Sequence, residues 1–177
     1  MTWRTDDSRI VYENAWISVR EDAVTGPAGA GVYGVVTLRH PAVFIVALDE
    51  HERVCLVSLD RYTVGRSIEV PAGGSDGEDP LTAAQRELLE ETGMRADEWR
   101  MIGTMNALNG VTVAPEHVFL ARGLHDADGE AREEEGIDEV SWVPFAEAIT
   151  MVADGRISDG ETVAALAYAG IHLGRFG

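Results

Sequence analysis

Arg86-Glu87-Leu88-Leu89-Glu90-Glu91-Thr92-Gly93-Met94 sets three carboxylates on one helical face and then stops the helix with glycine. Glu87, Glu90 and Glu91 stand at i, i+3 and i+4, so their side chains point the same way. Like charges at those spacings destabilise a helix by roughly 0.2–0.5 kcal/mol per pair, and a face built only for solubility alternates its signs. A positive group is therefore expected among them. Hard oxygen ligands converging from a rigid element suit Mg²⁺ or Mn²⁺, which accept carboxylates, keep several waters and bridge to phosphates. A solvated acidic face is the commoner origin of charge clusters. It explains neither the unbroken like-charge spacing nor the glycine-rich loop just upstream.

The flanking residues fix the helix ends. Asp79 suits the N-cap, Pro80 the first helical position, and Gly93 the left-handed residue after the last turn. Leu81, Ala84 and Leu88 make an apolar stripe beside the acidic one, so the helix can pack while its carboxylates line a cleft. The loop Pro71-Ala72-Gly73-Gly74-Ser75-Asp76-Gly77 precedes it, and its glycines let backbone approach a ligand closely.

This stretch resembles the second half of the Nudix box: glycine, five residues, Glu, seven residues, Arg-Glu, an aliphatic, any residue, Glu-Glu, any residue, glycine, an aliphatic. Glu78 stands seven residues before Arg86, as the pattern asks. Arg, three Glu and Gly at these spacings would arise by chance with odds on the order of one in ten thousand in a chain of this length. The opening glycine departs from the pattern. The family spacing back from Glu78 lands on Ala72, and Gly73 leaves only four intervening residues, so the loop is one residue short. Further stretches resemble the ADP-ribose pyrophosphatase branch of the family: Val11 to Asn14 with Trp16, Gly31 to Val36, Glu69-Val70-Pro71-Ala72-Gly73, and Ile157 to Leu166. Together they span nearly the whole chain.

Composition narrows the alternatives. The chain has 177 residues, 45% of them hydrophobic, which is enough for one sizeable core, and it has no apolar run long enough to span a bilayer. The N-terminus lacks the apolar run of a signal peptide, and Cys55 is the single cysteine, lying in Val54-Cys55-Leu56-Val57 as a core thiol. A reducing cytoplasm is the expected compartment. A formal charge of −17 repels nucleic acid and anionic membranes, so neither is an expected partner. A small phosphate ester remains compatible, because a metal ion and a few arginines dominate at short range.

Along the chain, Gly31 to Leu38, Ala42 to Leu48 and Arg53 to Leu59 read as strands, the last two as a hairpin. Ile68 to Val70 follows as a short strand, then the glycine-rich loop and the acidic helix. A strand about Arg100 to Met105, a loop from Asn106 to Pro115, and a strand at His117 to Ala121 come next. His125 to Gly136 reads as an acidic solvated loop in which one of Glu133, Glu134 or Glu135 could face a metal. Glu139 to Val143 is a last strand, and helices at about Phe145 to Ala153 and Gly160 to Leu173 complete the chain, the second capped by Asp159. Strands surrounding a helix, with helices at the end, suit an α/β/α sandwich with a mixed sheet of the Nudix type.

The resemblance implies hydrolysis of a nucleoside diphosphate linked to a group X, as in ADP-ribose or another nucleotide sugar, giving a nucleoside monophosphate and a phosphorylated X. Glu87, Glu90 and Glu91, with the main-chain carbonyl of Ala72 or Gly73, would hold Mg²⁺ or Mn²⁺. Arg86 joins Glu87 in the catalytic cluster, orienting it through Glu78 or Glu90. Glu116, just ahead of a strand, fits the place of a general base, a loop glutamate being the alternative; His117 beside it reads as structural. Arg61 and Arg66 are candidates for the substrate, with ordinary surface pairing as the alternative for both. Asn109 stands where ADP-ribose enzymes of the family carry proline, so the wall facing X should differ. Residues 1–36 resemble a strand-rich region that dimerises in that branch, and 37–177 the hydrolase domain. A homodimer is expected. A nucleotide-binding module without turnover is the alternative function, although such a module would be expected to lose its metal carboxylates.

Overall fold

The computed structural model describes residues 2–127 and 136–176. Three consecutive strands, β1 (Arg4–Glu13), β2 (Ile17–Gly26) and β3 (Gly29–Leu38), make an antiparallel ribbon. Every residue of β1 is exposed. At the other edge, β3 pairs in parallel with a two-residue strand, β9 (Thr112–Val113).

A second, mixed sheet runs in the order β7-β4-β10-β8, from β7 (Ala72–Gly74), β4 (Ala42–Ala47), β10 (Pro115–Asp126) and β8 (Met94–Asn106). Here β4 and β10 are parallel, with Glu116 opposite Ala42 and Ala121 opposite Ala47. The third sheet holds β11 (Ile137–Pro144), β5 (Arg53–Arg61) and β6 (Gly65–Glu69), all antiparallel. Three helices complete the chain: α1 (Pro80–Thr92), α2 (Phe145–Ala153) and α3 (Gly160–His172).

The period-2 alternation of the buried strands divides the core into two layers. Phe44 and Val46 of β4 and Leu48 just beyond it, with Val118 and Leu120 of β10, pack against Phe145, Ala148, Ala165 and Leu166 of α2 and α3. Val43, Ile45 and Ala47, with Phe119 and Ala121, pack against Ala83, Ala84 and Leu88 of α1. The sheet is thus covered by α1 on one face and by α2 and α3 on the other, which is the sandwich expected. Cys55 is fully buried in the α1 layer.

Several expectations need correction. The hairpin of Ala42–Leu48 with Arg53–Leu59 does not form: beyond a single bridge, Leu48 to Val54, the two strands enter different sheets. The reason is burial on both faces of β4, which draws partners along both edges, β7 and β10. Part of the glycine-rich loop, Ala72–Gly74, is itself a strand antiparallel to β4. The strand after α1 begins at Met94 and not near Arg100, and the loop from Asn106 contains β9. Leu81 is exposed, because the buried face of α1 is centred on Ala83, Ala84 and Leu88. β10 continues through Asp126, so the acidic loop begins later than expected, and Glu133, Glu134 and Glu135 lie outside the described residues.

Candidate functional site

α1 carries the acidic face as a well-terminated element. The Asp79 side chain accepts a hydrogen bond from the Leu81 N–H at 3.1 Å, and Gly93, at φ 72°, donates its N–H to the Leu89 carbonyl at 2.8 Å. Rotation of Ala83, Ala84 and Leu88 onto the sheet leaves Glu87, Glu90 and Glu91 on the flank that meets β7. Glu87 and Glu91 are buried and Glu90 is half-buried.

Two features of β7 shape this flank. A β-carbon on Gly73 would stand 2.2 Å from the carboxylate carbon of Glu87, so only glycine lets backbone and carboxylate come together here. The Ala72 N–H donates to Glu91 Oε2 at 2.9 Å. Arg86 closes the cluster from the other side. Its Nε donates to Glu78 at 3.0 Å, its Nη1 to Glu87 at 2.9 Å and to Glu90 at 2.7 Å, and its Nη2 to the Gly74 carbonyl at 2.9 Å. One guanidinium thus contacts three of the four acidic residues.

The electrostatics show what the cluster lacks. Burial lifts the Glu91 carboxyl to a pKa of about 8; the Ala72 amide opposes this and the Glu87 charge adds to it. Glu91 therefore holds its proton near neutrality unless further positive charge arrives. Among the described residues no three His, Cys, Asp or Glu side chains already stand at ligand spacing. Arg86 and the Ala72 amide hold the carboxylates in their present places. The donor set nonetheless fits a hard divalent cation: Glu87, Glu90 and Glu91 supply charged oxygens, and Gly73 lets the backbone of β7 come close to the Glu87 carboxylate.

Across the first strands of the mixed sheet lies a hollow of about 460 Å³ whose wall includes Arg61, Glu69, Glu116, Asp159 and Glu161. Arg61 forms a two-point pair with the buried Glu69, Nε at 3.0 Å and Nη2 at 2.5 Å. Burial alone would raise the Glu69 carboxyl, but the hydrogen bonds from Arg61 and Ser67 hold it below the ordinary range. Glu116 stands on the α3 side of β10 and is 5% exposed, and its Oε2 is buried without a hydrogen-bond partner. Burial first, then the charges of Glu161 and Asp159, lift its carboxyl to about 7. His117 alternates to the α1 side, where its Nδ1 is also buried and unpartnered.

The remaining sequence candidates are placed apart. Arg66 pairs with Asp138 at 2.7 Å on the third sheet and does not line this hollow, which matches the surface-pairing alternative. Asn109 is exposed in the turn before β9; its neighbour Leu108, at φ 46°, lines an adjoining hollow of about 540 Å³ with Glu116 and Glu161. Asp159 and Glu161 are the site residues that the sequence did not reveal. An acidic cap and first turn are what any helix favours, so no signal set them apart. A separate hollow of about 520 Å³ lies beyond the opposite ends of β4 and β10, beside Arg53, Arg122 and Trp142. Its arginines are already paired, with Asp49 and Glu52.

Comparison with known proteins agrees with this geometry. Residues 38–166 match the family model of the NUDIX domain, which takes in α1, the mixed sheet and the first half of α3. The chain belongs to the Nudix family. Residues 3–36 of this Nudix chain match a second family model, the nucleoside diphosphate sugar hydrolase N-terminal domain. The chain is 35% identical over 173 residues to the ADP-ribose pyrophosphatase of Mycobacterium tuberculosis, covering 96% of this chain and 81% of that protein. It is 37% identical over 112 residues to the GDP-mannose pyrophosphatase of Yersinia enterocolitica, covering 61% and 58%. A crystal structure of an ADP compounds hydrolase shares the fold, with a TM-score of 0.86 at 20% identity over 100% of this chain and 97% of that one. Nudix hydrolases generally use divalent metal ions, in keeping with the donor set on α1.

Proposed function

We propose that this Nudix chain hydrolyses the phosphoanhydride of a nucleoside diphosphate joined to a sugar or similar group, with ADP-ribose and GDP-mannose as the first compounds to consider. The observation that carries this reading is the intact acidic face of α1, held against Gly73 by a single arginine. A module that only bound nucleotide would have no use for the like-charge repulsion stored there.

Mg²⁺, or Mn²⁺, is the cofactor proposed, held by Glu87, Glu90 and Glu91 with the main-chain carbonyl of Ala72 or Gly73. When bound, the ion neutralises the diphosphate, polarises the attacked phosphorus and makes water more acidic. Arg86 keeps Glu87 and Glu90 in position. Arg61, fixed by Glu69, presents its remaining N–H groups toward a phosphate oxygen. Glu116 takes the proton from the attacking water as the new P–O bond forms. The P–O–P bond then breaks toward the leaving phosphate, which departs as a monoester. A carboxyl that titrates near neutrality suits that task. The exposed Asn109-Gly110 turn leaves the wall beside X adaptable, which favours acceptance of several compounds over strict selection of ADP-ribose.

The protein is proposed to act as a homodimer through the ribbon of residues 1–36, and in the cytoplasm. Among the described residues no helix is long and apolar enough to cross a membrane. The test of the activity is a screen of ADP-ribose, ADP-glucose, GDP-mannose and a dinucleoside polyphosphate with Mg²⁺ or Mn²⁺, reading released monoester through a coupled phosphatase. Turnover of at least one compound that is lost with chelator is expected. No metal-dependent turnover of any of them would sink the reading in favour of binding alone.

A further inference from the structure

We propose that Asp159 and Glu161, at the start of α3, form with Glu116 a subsite that receives the neutral, hydroxyl-bearing part of X and turns away an X carrying its own negative charge. This rests on the hydrolase reading above and narrows its substrate class. Glu116 and Glu161 line both of the adjoining hollows, of about 460 and 540 Å³, and Asp159 lines the first. Glu116 is placed where two hollows meet, and its Oε2 is buried with no donor in reach. A buried acceptor without a donor is costly until a ligand supplies one.

An X with its own negative charge finds no further cation here, because the reading above commits the free N–H groups of Arg61 to a phosphate. Among the described residues lining the two hollows Arg61 is the one cation, and Glu69 already grips it through both oxygens. The start of a helix ordinarily attracts anions, but here the Asp159 carboxylate fills that place, accepting from the Thr162 N–H at 2.7 Å. Asp159 and Glu161 raise the proton affinity of Glu116 after burial does, and burial leads the rise at Glu161 as well. One more negative charge would meet the same repulsion. Sugar hydroxyls bring the opposite chemistry, since each can donate to an acceptor already in place. A nucleobase suits the hollows poorly: the one aromatic ring on their walls, Phe44, is buried in the core and presents little face for stacking.

The experiment compares GDP-mannose with GDP-mannuronate, which differ by one carboxylate on X, in the wild type, in Glu161→Gln and in Asp159→Asn, the last of which keeps a capping oxygen. The wild type is expected to favour the neutral compound by about 10- to 100-fold in kcat/KM, the effect of one like charge roughly 6–10 Å away in a partly screened cleft. Glu161→Gln is expected to narrow that ratio by about threefold to tenfold, mostly by improving GDP-mannuronate, and Asp159→Asn to act in the same direction. Equal use of both compounds by the wild type, or a ratio unmoved by either variant, overturns the subsite. Where neither compound is cut, titration calorimetry of the same two reads the affinity ratio directly, and only failure on every compound of the screen above tells against the hydrolase reading.

Discussion

Gly73 and Glu87 approach so closely that a β-carbon on the glycine would lie 2.2 Å from the carboxylate carbon and the same distance from Oε1. No rotamer adjustment of a methyl relieves such an overlap; Glu87 or β7 has to move. Gly73→Ala is therefore expected to lower kcat by about 10²- to 10³-fold, the scale of losing one principal electrostatic group, with a smaller effect on the fold, because the clash falls on the movable end of the Glu87 side chain. Gly74 supplies the control. A β-carbon there meets only Asp76 Oδ1, at 3.5 Å. Gly74→Ala activity within a few-fold of wild type, beside a dead Gly73→Ala, is the expected pair of assays; two equally active variants would remove the close approach from the account.

Glu91 links metal, pH and stability. Its folded-state pKa of about 8 stands well above the ordinary carboxylate value, chiefly through burial. The folded chain therefore holds a proton there that the unfolded chain releases, and this contribution to stability is fully present at acidic pH and is lost as pH rises through about 8. Without metal, the melting temperature should fall between pH 5 and pH 8.5. Saturating Mg²⁺ should reverse much of that fall, since a cation favours the ionised form. In Glu91→Gln the slope should flatten and the metal-induced rise shrink, with kcat lower by about 10²-fold or more. Differential scanning calorimetry at several pH values, with and without metal, makes the comparison. A melting temperature of the variant that follows pH as steeply as wild type would refute it.

The features legible in the sequence were those that neighbours along the chain determine. Asp79, Pro80 and Gly93 define α1, and its carboxylate spacing holds whatever the tertiary context. The same is true of α2 and α3. What could not be read was set by partners distant in sequence. A strand buried on both faces has no alternation, so Val43 to Ala47 carries no mark of which edge meets β10 and which β7, and proximity along the chain wrongly suggested β5. The site divides in the same way. Glu87, Glu90 and Glu91 announce themselves by spacing, whereas Asp159 and Glu161 join Glu116 only because α3 packs over the same face of the sheet. Arg61 and Arg66 look alike in sequence; a buried Glu69 draws one into the cleft and an exposed Asp138 takes the other away.

Glu116 makes a prediction about pH. With a carboxyl that titrates near 7, a general base is half-protonated at neutrality, so the acid limb of kcat should bend near that pH. Glu116→Gln should remove the bend and slow kcat by about 10²- to 10⁴-fold on every substrate. Glu161→Gln, which takes away the leading charge behind the raised value, should shift the bend to lower pH. An effect of Glu116→Gln confined to KM, with kcat and its pH profile unchanged, would leave this residue its contact with X alone and put the base elsewhere.

The N-terminal ribbon should associate. Among the described residues β1 pairs only with β2 and leaves Ile10, Val11 and Tyr12 55%, 48% and 55% exposed, with Trp16 at 74% and Val32 at 70% close by. So many large apolar groups on one short ribbon are a surface that a monomer rarely leaves bare. Light scattering at micromolar concentration should report twice the chain mass, and Ile10→Asp combined with Trp16→Ala should halve it while the far-ultraviolet dichroism of the hydrolase domain persists. A monomeric wild type would refute the dimer.

Tyr33 ties that ribbon to the turn that carries Asn109 and Gly110. Its hydroxyl donates to the Gly110 carbonyl, and the Trp3 ring packs edge-on against it with centroids 5.6 Å apart. Beside this link, the Val36 N–H donates to the Val111 carbonyl at 3.0 Å, and β3 pairs with β9. The turn so anchored carries Leu108, in a left-handed conformation unfavourable for leucine, onto the hollow that Glu116 shares. Tyr33→Phe removes one anchor while water can satisfy the freed carbonyl, so the folding cost should be within about 1 kcal/mol. The looser turn must then be ordered by each substrate that binds, which raises KM by about threefold to tenfold with little change in kcat. Because the hydroxyl lies on the N-terminal ribbon and away from α1, metal affinity should stay as in wild type. Steady-state kinetics on ADP-ribose and GDP-mannose, together with a Mg²⁺ titration, make the test: a fall in kcat with KM unchanged would show that the turn acts on the chemical step and not on binding.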